Sequence, residues 1–404
     1  MNTQHLVFDN GSYNIKAGFV EQEQPIKVQN AISKARDGHL YIGNDFQSSS
    51  SYSGLVFKRP HDQGHLVSWE CEKPIWDYTL NEILDNKELD ANSVHLTLTE
   101  TPFQLPQLSM NTDQIVFEEF GFHSFYRCPS PSLSPWGFSD ISKVSDFALV
   151  IDSGYNATWI MPMIYQKVYW QGVKKLPIGG AVLDGLLKEM ISFRHYDVSD
   201  EPSLVTTIKE KTCFLAQNFK ESLKSRKSNS CEFILPDFKT TKVGYVKTKN
   251  TPVDTDAQSL KLFDERFSVP EALCHADIIF DNIASNSAPI QTASFKSLTD
   301  LVVQSIMSCP EVSRPLLSAN ILASGGTAKL PGFIERLKSE LTKELPSDWL
   351  VRFKENGNDL EESNWFGGRA LASSDIVNTV SISKKEYFEH GSNWCQKQFG
   401  FKNL

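Results

Sequence analysis

Short apolar runs in this chain end repeatedly in turns rich in aspartate, glycine and serine. Residues 6–8 lead into a turn that begins at Asp9, and residues 147–151 lead into a turn that begins at Asp152. A run of strand-forming residues that gives way to Asp, Asn and Gly predicts a strand ending in a tight turn. The two strand–Asp–x–Gly units form an internal repeat, which indicates two related halves.

A third apolar run, residues 320–323, predicts a buried strand that ends at Gly325 and Gly326. Apolar residues recur at helical spacing in three further segments. These predict amphipathic helices over residues 182–191, 204–215 and 333–345. Strands that alternate with helices predict an α/β fold.

Three segments lack the periodicity of helices and strands. Residues 129–135 contain three prolines. Because proline lacks the amide donor and crowds the preceding turn, we expect no regular helix there. Residues 239–260 are polar and mixed, and we expect an exposed loop. Residues 282–297 are rich in Asn, Ser and Ala, and we expect a similar loop.

Composition and charge exclude several classes of protein. The 404 residues are 40% hydrophobic and 22% charged, which is ordinary for a soluble globular protein with a sizeable core. We expect neither a membrane span nor a secretory signal, because no apolar run is long enough and the first residues lack a basic region. The net charge of −9 argues against a surface that mainly binds nucleic acid.

Cysteines and histidines give no metal or disulfide pattern. The seven cysteines are scattered without a Cys-x-x-Cys pair, so we expect neither a zinc ribbon nor disulfides, and a reducing compartment fits best. Cys213 and Cys309 lie in apolar segments and are interpreted as core thiols. His61 and His65 have helical spacing, but a nearby proline and glycine argue against a helix, so we interpret them as polar loop residues.

The glycine-rich turns carry the candidate chemistry. Such a turn presents several backbone N–H groups to one point and can bind phosphate oxygens. An aspartate at the strand end can hold a water of a phosphate-bound Mg²⁺ ion, which keeps most of its waters. A single turn of this kind is usually an ordinary turn. Asp9 and Asp152, however, begin matching turns 143 residues apart, and a third Gly-Gly turn accompanies them. Two such turns facing each other would clamp a nucleotide's phosphates between two domains.

Seven segments resemble actin in sequence and occur in the actin order over nearly the whole chain. They are residues 6–19, 148–164, 208–219, 263–273, 319–332, 365–368 and 382–387. The chain is therefore identified as a member of the actin-related protein family. The resemblance implies the actin fold of the actin, Hsp70 and sugar-kinase superfamily, in which two α/β domains flank a nucleotide cleft.

The resemblance also implies domain boundaries and site residues. We expect a small domain from residues 1–144 plus 361–404, and a large domain from residues 145–360 with an exposed insertion near 239–260. Asp9 and Asp152 match two aspartates that face the metal through water. The other matches are Gly11, Ser12, Lys16 and Gly154 for the phosphates, Lys209 and Glu210 for ribose and adenine, and Gly325, Gly326 and Thr327 for the loop over the adenosine. ATP and Mg²⁺ are the implied cofactors.

Two departures from actin bear on nucleotide chemistry. Tyr13 replaces a glycine of the first loop, and Tyr155 and Asn156 replace Asp and Gly of the second, so we expect strain wherever the backbone is left-handed. Ser130, between two prolines, falls where actin has the glutamine that orients the attacking water, and its hydroxyl is too short to replace that side chain. We therefore predict that hydrolysis is absent or very slow and that the chain is not an enzyme.

A third departure concerns self-assembly. The segment over residues 32–43 is much shorter than in actin. The loop missing there is the one that inserts into the next subunit of a filament, so head-to-tail contacts lose their main anchor. We predict no homofilament.

Two surface features have two interpretations each. Residues 220–249 carry eight Lys and Arg against three Asp and Glu. This excess fits either a solvated loop or a patch that touches DNA phosphates or an acidic partner. Trp136 and Phe138 either mark a partner surface or pack beneath the proline run.

The turns at Asp9 and Asp152, with residues 234–238, resemble the sixth-actin-related-protein branch of the family. That branch is nuclear and supplies a structural subunit to Swr-type remodelling complexes, which exchange a variant histone into nucleosomes. There it pairs with the remodeller ATPase and a zinc-finger HIT protein, near nucleosomal DNA and histones. The resemblance implies a scaffold subunit in the nucleus, with the cytoplasm as a second location. The alternative is a slow actin-like ATPase whose nucleotide state drives conformational change.

Overall fold

Two mixed β-sheets with helices packed around them organise the computed structural model. The structure describes residues 4–85, 90–137, 144–239, 241–248, 257–276, 278, 296–355 and 357–400. Within this part of the chain the predicted α/β class is confirmed. None of the described helices is long and apolar enough to cross a membrane.

The first sheet is built around the strand Gln4–Asn10. This strand runs parallel to Val94–Glu100 and forms an antiparallel hairpin with Asn14–Phe19. Leu6, Val7 and Phe8 are all fully buried, which explains why the sequence is continuously apolar there. The spatial order of the strands is Ile382–Ser383, Ser124–Pro129, Val94–Glu100, Gln4–Asn10, Asn14–Phe19 and Ile26–Gln29.

The second sheet repeats the local arrangement of the first. Phe147–Ser153 forms a hairpin with the next strand and runs parallel to the strand of the third apolar run. In the two hairpins, Asp9 lies opposite Lys16 and Asp152 lies opposite Trp159. The predicted internal repeat is therefore confirmed. The strands of this sheet are Phe147–Ser153, Thr158–Ile164, Lys167–Val168, Lys174–Leu176 and Ile321–Ser324.

Helices and helical turns connect these strands, and two of the predicted helices are confirmed at Gly180–Arg194 and Phe333–Glu344. The α-helices are Trp69–Leu84, Pro106–Gln114, Ser134–Gly137, Gly180–Arg194, Pro202–Thr212, Phe219–Lys224, Glu265–Glu271, Leu298–Met307, Arg314–Ser318, Phe333–Glu344, Ser363–Ala372, Ile376–Val380, Lys384–His390 and Ser392–Phe399. The 3-10 turns are Asp45–Ser48, Ala91–Ser93, Ser130–Leu133, Trp170–Gly172, Glu311–Ser313 and Thr327–Lys329, and Ile115–Phe120 is a π-helical turn.

The third predicted helix is shorter than expected. Pro202–Thr212 ends before Leu215. The backbone is extended at Cys213, and the Leu215 N–H donates to the Pro331 carbonyl oxygen at 2.8 Å. A tertiary hydrogen bond thus replaces the last helical turn, which periodicity alone could not indicate.

The proline run also differs from the prediction. Ser130–Leu133 is a 3-10 turn and Ser134–Gly137 is a single α-helical turn. Pro131 and Pro135 lie in the first turns of these helices, where a missing N–H costs no intrahelical hydrogen bond. The prolines therefore start short helices, although they exclude a long one.

Trp136 packs beneath the proline run. Only 8% of its surface is exposed, and it belongs to a cluster with Cys128, Leu133 and Leu371. The interpretation of a partner surface is therefore wrong for Trp136. Phe138 lies outside the described residues.

Part of the predicted loop over residues 239–260 belongs to a small sheet. Tyr245–Val246 and Ser259–Leu262 both pair with Cys231–Ile234. Leu260 is fully buried, so the burial of a few apolar side chains fixes strands within a mostly polar segment. The expectation of a loop is wrong for these strands. Residues 240, 249–256 and 282–295 lie outside the described part of the chain.

Smaller sheets also follow the first hairpin. Ile32–Lys34 pairs with both Leu40–Ile42 and Val56–Lys58. His61–Asp62 pairs with His65–Leu66, so the two histidines lie in a short hairpin and not in a loop.

The C-terminal part of the chain returns to the first sheet. Ile382–Ser383 adds an edge strand, and Ser363–Ala372 packs against Gln4–Asn10. Trp365 is fully buried and contacts Val7. The motif around Trp365 therefore anchors a helix under the first hairpin. The domain boundaries at residues 144 and 361 stay a prediction.

Gly367 is a point of close approach between Ser363–Ala372 and the proline run. A Cβ atom there would overlap the Leu133 carbonyl oxygen, so the backbone would have to move. We expect Gly367→Ala to lower the free energy of unfolding by about 1–3 kcal/mol in urea denaturation. Gly185→Ala is the matched control, because Gly185 is helical and faces open space, and it should stabilise by about 0.5–1 kcal/mol. Equal destabilisation by both substitutions would contradict this packing.

Candidate functional site

A cleft between the two sheets brings together every residue that the sequence predicted for nucleotide contact. The turns of the two repeated hairpins both contribute to its wall. The cavity has a volume of about 570 Å³, and its lining includes Asp9, Gly11, Ser12, Lys16, Asp152, Gly154, Lys209, Glu210, Gly325, Gly326 and Thr327. Their contact with a nucleotide stays a prediction, whereas their convergence on one cavity is observed.

Asp9 lies at the base of the cleft, 3% exposed and surrounded by donors. The hydroxyls of Thr99 and Ser130 each donate to Asp9 Oδ1 at 2.8 Å. Lys16 Nζ lies 3.4 Å from Asp9 Oδ2. This carboxylate is therefore held in one orientation by two hydroxyls and a neighbouring positive charge.

Asp152 occupies the equivalent position on the second sheet. The Ser324 hydroxyl donates to Asp152 Oδ1 at 3.2 Å. Burial raises the pKa of Asp152 to about 6, and the nearby Asp9 carboxylate adds to this effect. Gly325 follows with a φ of +94°, and a Cβ there would overlap the Ser153 carbonyl oxygen, so only glycine fits this turn.

A chain of hydrogen bonds joins the two aspartates across the base of the cleft. Asn364 Nδ2 donates to Ser130 Oγ at 2.7 Å. The Ser134 hydroxyl lies 2.5 Å from Asn364 Oδ1 and 3.2 Å from Ser324 Oγ. Because Ser130 bonds Asp9 and Ser324 bonds the other aspartate, the polar groups form a continuous path. Each aspartate is thus held by donors from its own half of the chain, and Asn364 and Ser134 link the two sets of donors.

The predicted ribose and adenine residues are already engaged with the protein. Lys209 Nζ forms an ion pair with Asp184 at 2.8 Å and donates to the Gly180 carbonyl oxygen at 3.2 Å. Burial raises the pKa of Glu210. The Thr327 hydroxyl donates to the Gly154 carbonyl oxygen at 2.8 Å, which ties the predicted adenosine loop to the second phosphate loop.

The strain expected at the substituted loop positions is not observed. The described residues with positive φ do not include Tyr13, Tyr155 or Asn156. Both turns therefore accommodate side chains in ordinary backbone conformations. The substitutions instead change the side chains: the tyrosines place two aromatic rings in the cavity where actin has glycine and aspartate. The backbone conformation alone does not reveal this change.

Sequence reasoning also missed several residues of the cleft. Thr99, Glu361 and Asn364 line it, and Arg59 lies beside its tyrosines. Asn364 directly precedes the Trp365 motif, so extending that motif by one residue would have found it. For Arg59 and Glu361 no local pattern gives a signal, because only the fold brings them to the cleft.

The residues present fit a phosphate group and a hydrated Mg²⁺ ion. No acceptor among the described residues takes the backbone N–H of Ser12, Tyr13, Tyr155 or Asn156. Unpaired N–H groups in two facing turns, with Lys16 between them, suit phosphate oxygens. The described residues contain no cluster of three metal-binding side chains. A Mg²⁺ ion bound to phosphate keeps most of its waters, which Asp9 and Asp152 could hold.

The buried thiols and the histidine pair have structural roles. Cys213 and Cys309 are buried, as predicted. Burial lowers the pKa of His61 to about 3, so this imidazole is neutral near pH 7. His65 Nδ1 lies 2.5 Å from Gln104 Oε1.

Comparison of the sequence with known families and proteins identifies the relatives of this chain. The actin family model matches residues 1–400. The chain belongs to the actin family. It is similar to the protein named Actin-like protein ARP6 from Debaryomyces hansenii, with 64% identity over 409 residues that span 100% of both chains. Proteins of the same name from Candida albicans and Saccharomyces cerevisiae are 51% and 35% identical, with at least 99% of each chain covered.

The predicted actin fold and the predicted likeness to the sixth actin-related protein are thereby confirmed. The two repeated hairpins lie where the resemblance predicts the phosphate loops of an actin-fold cleft, and their contact with phosphate stays a prediction. The tyrosines at positions 13 and 155 and the serine at position 130 are this chain's departures from actin within that cleft.

The raised pKa of Asp152 predicts how stability depends on pH. A carboxyl group whose pKa is higher in the folded protein binds its proton more tightly there than in the unfolded chain. The protonated Asp152 carboxyl therefore stabilises the folded protein. This contribution is fully present at pH values below 3.8, the ordinary pKa, and is lost as the pH rises through about 6. Asp152→Asn removes this titration, and its side-chain oxygen can still accept from Ser324.

We therefore expect Asp152→Asn to gain stability relative to the wild type between about pH 4 and pH 7, by roughly 1–3 kcal/mol. Urea denaturation of both proteins at the two pH values measures this change. Asp348→Asn, at an exposed carboxylate, is the matched control and should show no such gain. A difference between Asp152→Asn and wild type that is the same at both pH values would contradict the assignment.

Proposed function

We propose that this actin-related protein is a structural subunit of a nuclear Swr-type remodelling complex, which exchanges a variant histone into nucleosomes. The observation that carries the proposal is its full-length similarity to proteins named Actin-like protein ARP6. In this role the chain supplies a rigid surface for other subunits. Any ATP and Mg²⁺ in the cleft act as a stabilising ligand between the two sheets.

Ser130 supports a cleft that does not hydrolyse ATP. Its hydroxyl donates to Asp9 and accepts from Asn364, so the protein uses both of its hydrogen-bonding functions. Positioning of the attacking water is a main contribution of a phosphate-hydrolysing site. A serine held in this way cannot take over that task without breaking the polar chain. The proposed subunit is therefore not an enzyme.

The short hairpin after the first sheet supports a protein that does not polymerise. Ile32–Lys34 and Leu40–Ile42 are joined by residues 35–39, and the Ala35 N–H donates to the His39 carbonyl oxygen at 2.9 Å. A turn closed in this way has no length to reach into a neighbouring subunit. Homofilaments are therefore not part of the proposal.

The proposed partners are the remodeller ATPase and a zinc-finger HIT protein, with nucleosomal DNA or histones nearby. Lys220, Lys224, Arg226 and Lys227 are exposed on and directly after the helix Phe219–Lys224. Their exposure supports a basic patch that faces phosphates or an acidic partner. The nucleus is the proposed location, with the cytoplasm as a second one.

Purification from cells of the source organism tests the proposal. A tagged chain expressed at its natural level should copurify with the remodeller ATPase and the zinc-finger HIT protein. Its depletion should reduce the variant histone at nucleosomes, and wild-type chain should restore it. Asp152→Asn should restore it equally, because a scaffold needs no turnover in the cleft. Recovery of the chain without the ATPase, or rescue by wild type alone, would contradict a structural role.

A further inference from the structure

Two tyrosines meet across the mouth of the cleft. Tyr13 lies in the hairpin turn of the first sheet and Tyr155 in the hairpin turn of the second. Their ring centroids are 4.7 Å apart with an interplanar angle of 44°. The two hairpin turns are therefore in direct side-chain contact.

The Arg59 guanidinium packs over both tyrosine rings. Its guanidinium carbon lies 4.3 Å from the Tyr13 ring centroid and 5.0 Å from that of Tyr155. The same guanidinium donates to the carbonyl oxygens of Tyr13 and Asn30 at 3.1 and 3.2 Å. One side chain is thus held by the backbone of the first sheet while it covers an aromatic ring from each sheet. We call Tyr13, Tyr155 and Arg59 the clasp.

A second aromatic contact crosses between the sheets beside the clasp. Phe103 follows the first-sheet strand Val94–Glu100, and its ring lies 5.1 Å from Trp170 and 6.2 Å from Trp159 of the second half. Phe103 has a φ of +55°, which is unfavourable for an aromatic residue. Such a conformation persists only where surrounding contacts hold it, and the two tryptophans are among those contacts.

The clasp stands next to the groups that would bind phosphate. Tyr13 and Tyr155 line the cavity together with the loops that carry the unpaired backbone N–H groups. The Tyr155 ring packs closely against Gly180. A Cβ atom at Gly180 would come within 3.2 Å of this ring and 3.3 Å of Lys209 Nζ, a residue predicted to contact the ribose and adenine. A polyphosphate chain cannot pass between the two loops on this side while the rings are in contact.

We propose that the clasp joins the two hairpin turns across the cleft and sets the rate at which a nucleoside polyphosphate enters and leaves it. Opening requires separation of the ring pair and the loss of a cation–π contact. The nucleotide is then trapped by side chains of the protein. This proposal concerns the cleft and does not depend on the partner subunits.

The test compares nucleotide exchange in variants of the purified full-length chain. Each protein is loaded with the fluorescent probe etheno-ATP and Mg²⁺, and its release into excess ATP is followed by stopped flow. Tyr13→Ala removes one ring of the pair and one cation–π contact, so release should accelerate by about tenfold or more. Tyr13→Phe keeps the ring and should restore slow release. Tyr165→Ala, at an exposed tyrosine outside the cleft, is the matched control.

Two further variants test the same contact if Tyr13→Ala does not fold. They are Tyr155→Ala and Arg59→Gln. Both should accelerate release, with Arg59→Gln having the smaller effect because the ring pair remains. The proposal is overturned if the alanine variants release the probe as slowly as Tyr13→Phe. It is also overturned if no variant, including wild type, binds the probe. Neither result bears on copurification with the remodeller, so failure here is distinct from failure of the proposed function.

Discussion

The hydrogen-bonded path from Asp9 to Asp152 is the constraint on which the rest of the cleft depends. Each carboxylate comes from a different sheet, and burying two acids near each other is unfavourable unless donors are supplied. Thr99 and Ser130 donate to Asp9, and Ser324 donates to Asp152. Asn364 and Ser134 connect these donors to each other. The polar path therefore fixes the relative positions of both hairpins and of the helix that carries Asn364.

This constraint gives the proposed scaffold role a physical basis. In a cleft that works by turnover, ligand phosphates couple the two loops and their loss allows the loops to separate. Here the polar path joins the loops at the base, and the ring pair of Tyr13 and Tyr155 joins them at the mouth. Ser130 belongs to that path. Its hydroxyl, which would have to orient the attacking water, is therefore already hydrogen-bonded within the protein. In the proposed scaffold, a nucleotide adds stability by linkage and does not switch the fold.

The sequence predicted the parts of this arrangement that local patterns encode. The repeated strand–Asp–x–Gly turns identified both hairpins, because apolar strands and glycine turns are local features. Asn364 and Arg59 were missed because only tertiary contacts bring them to the cleft. Tertiary contacts also end the helix before Leu215, bury Trp136 and order the strand around Leu260. The prediction of backbone strain at Tyr13 was wrong, because a glycine at this position in a relative does not by itself require a left-handed backbone.

Phosphate release from the purified chain shows whether the cleft turns over ATP. The chain is loaded with ATP and Mg²⁺, and free phosphate and bound nucleotide are measured over time for wild type and for Asp152→Asn. We expect bound nucleotide to be recovered as ATP, and we expect wild type to release no more phosphate than the variant. Steady phosphate release by wild type that disappears in Asp152→Asn would show a working ATPase and contradict the static cleft.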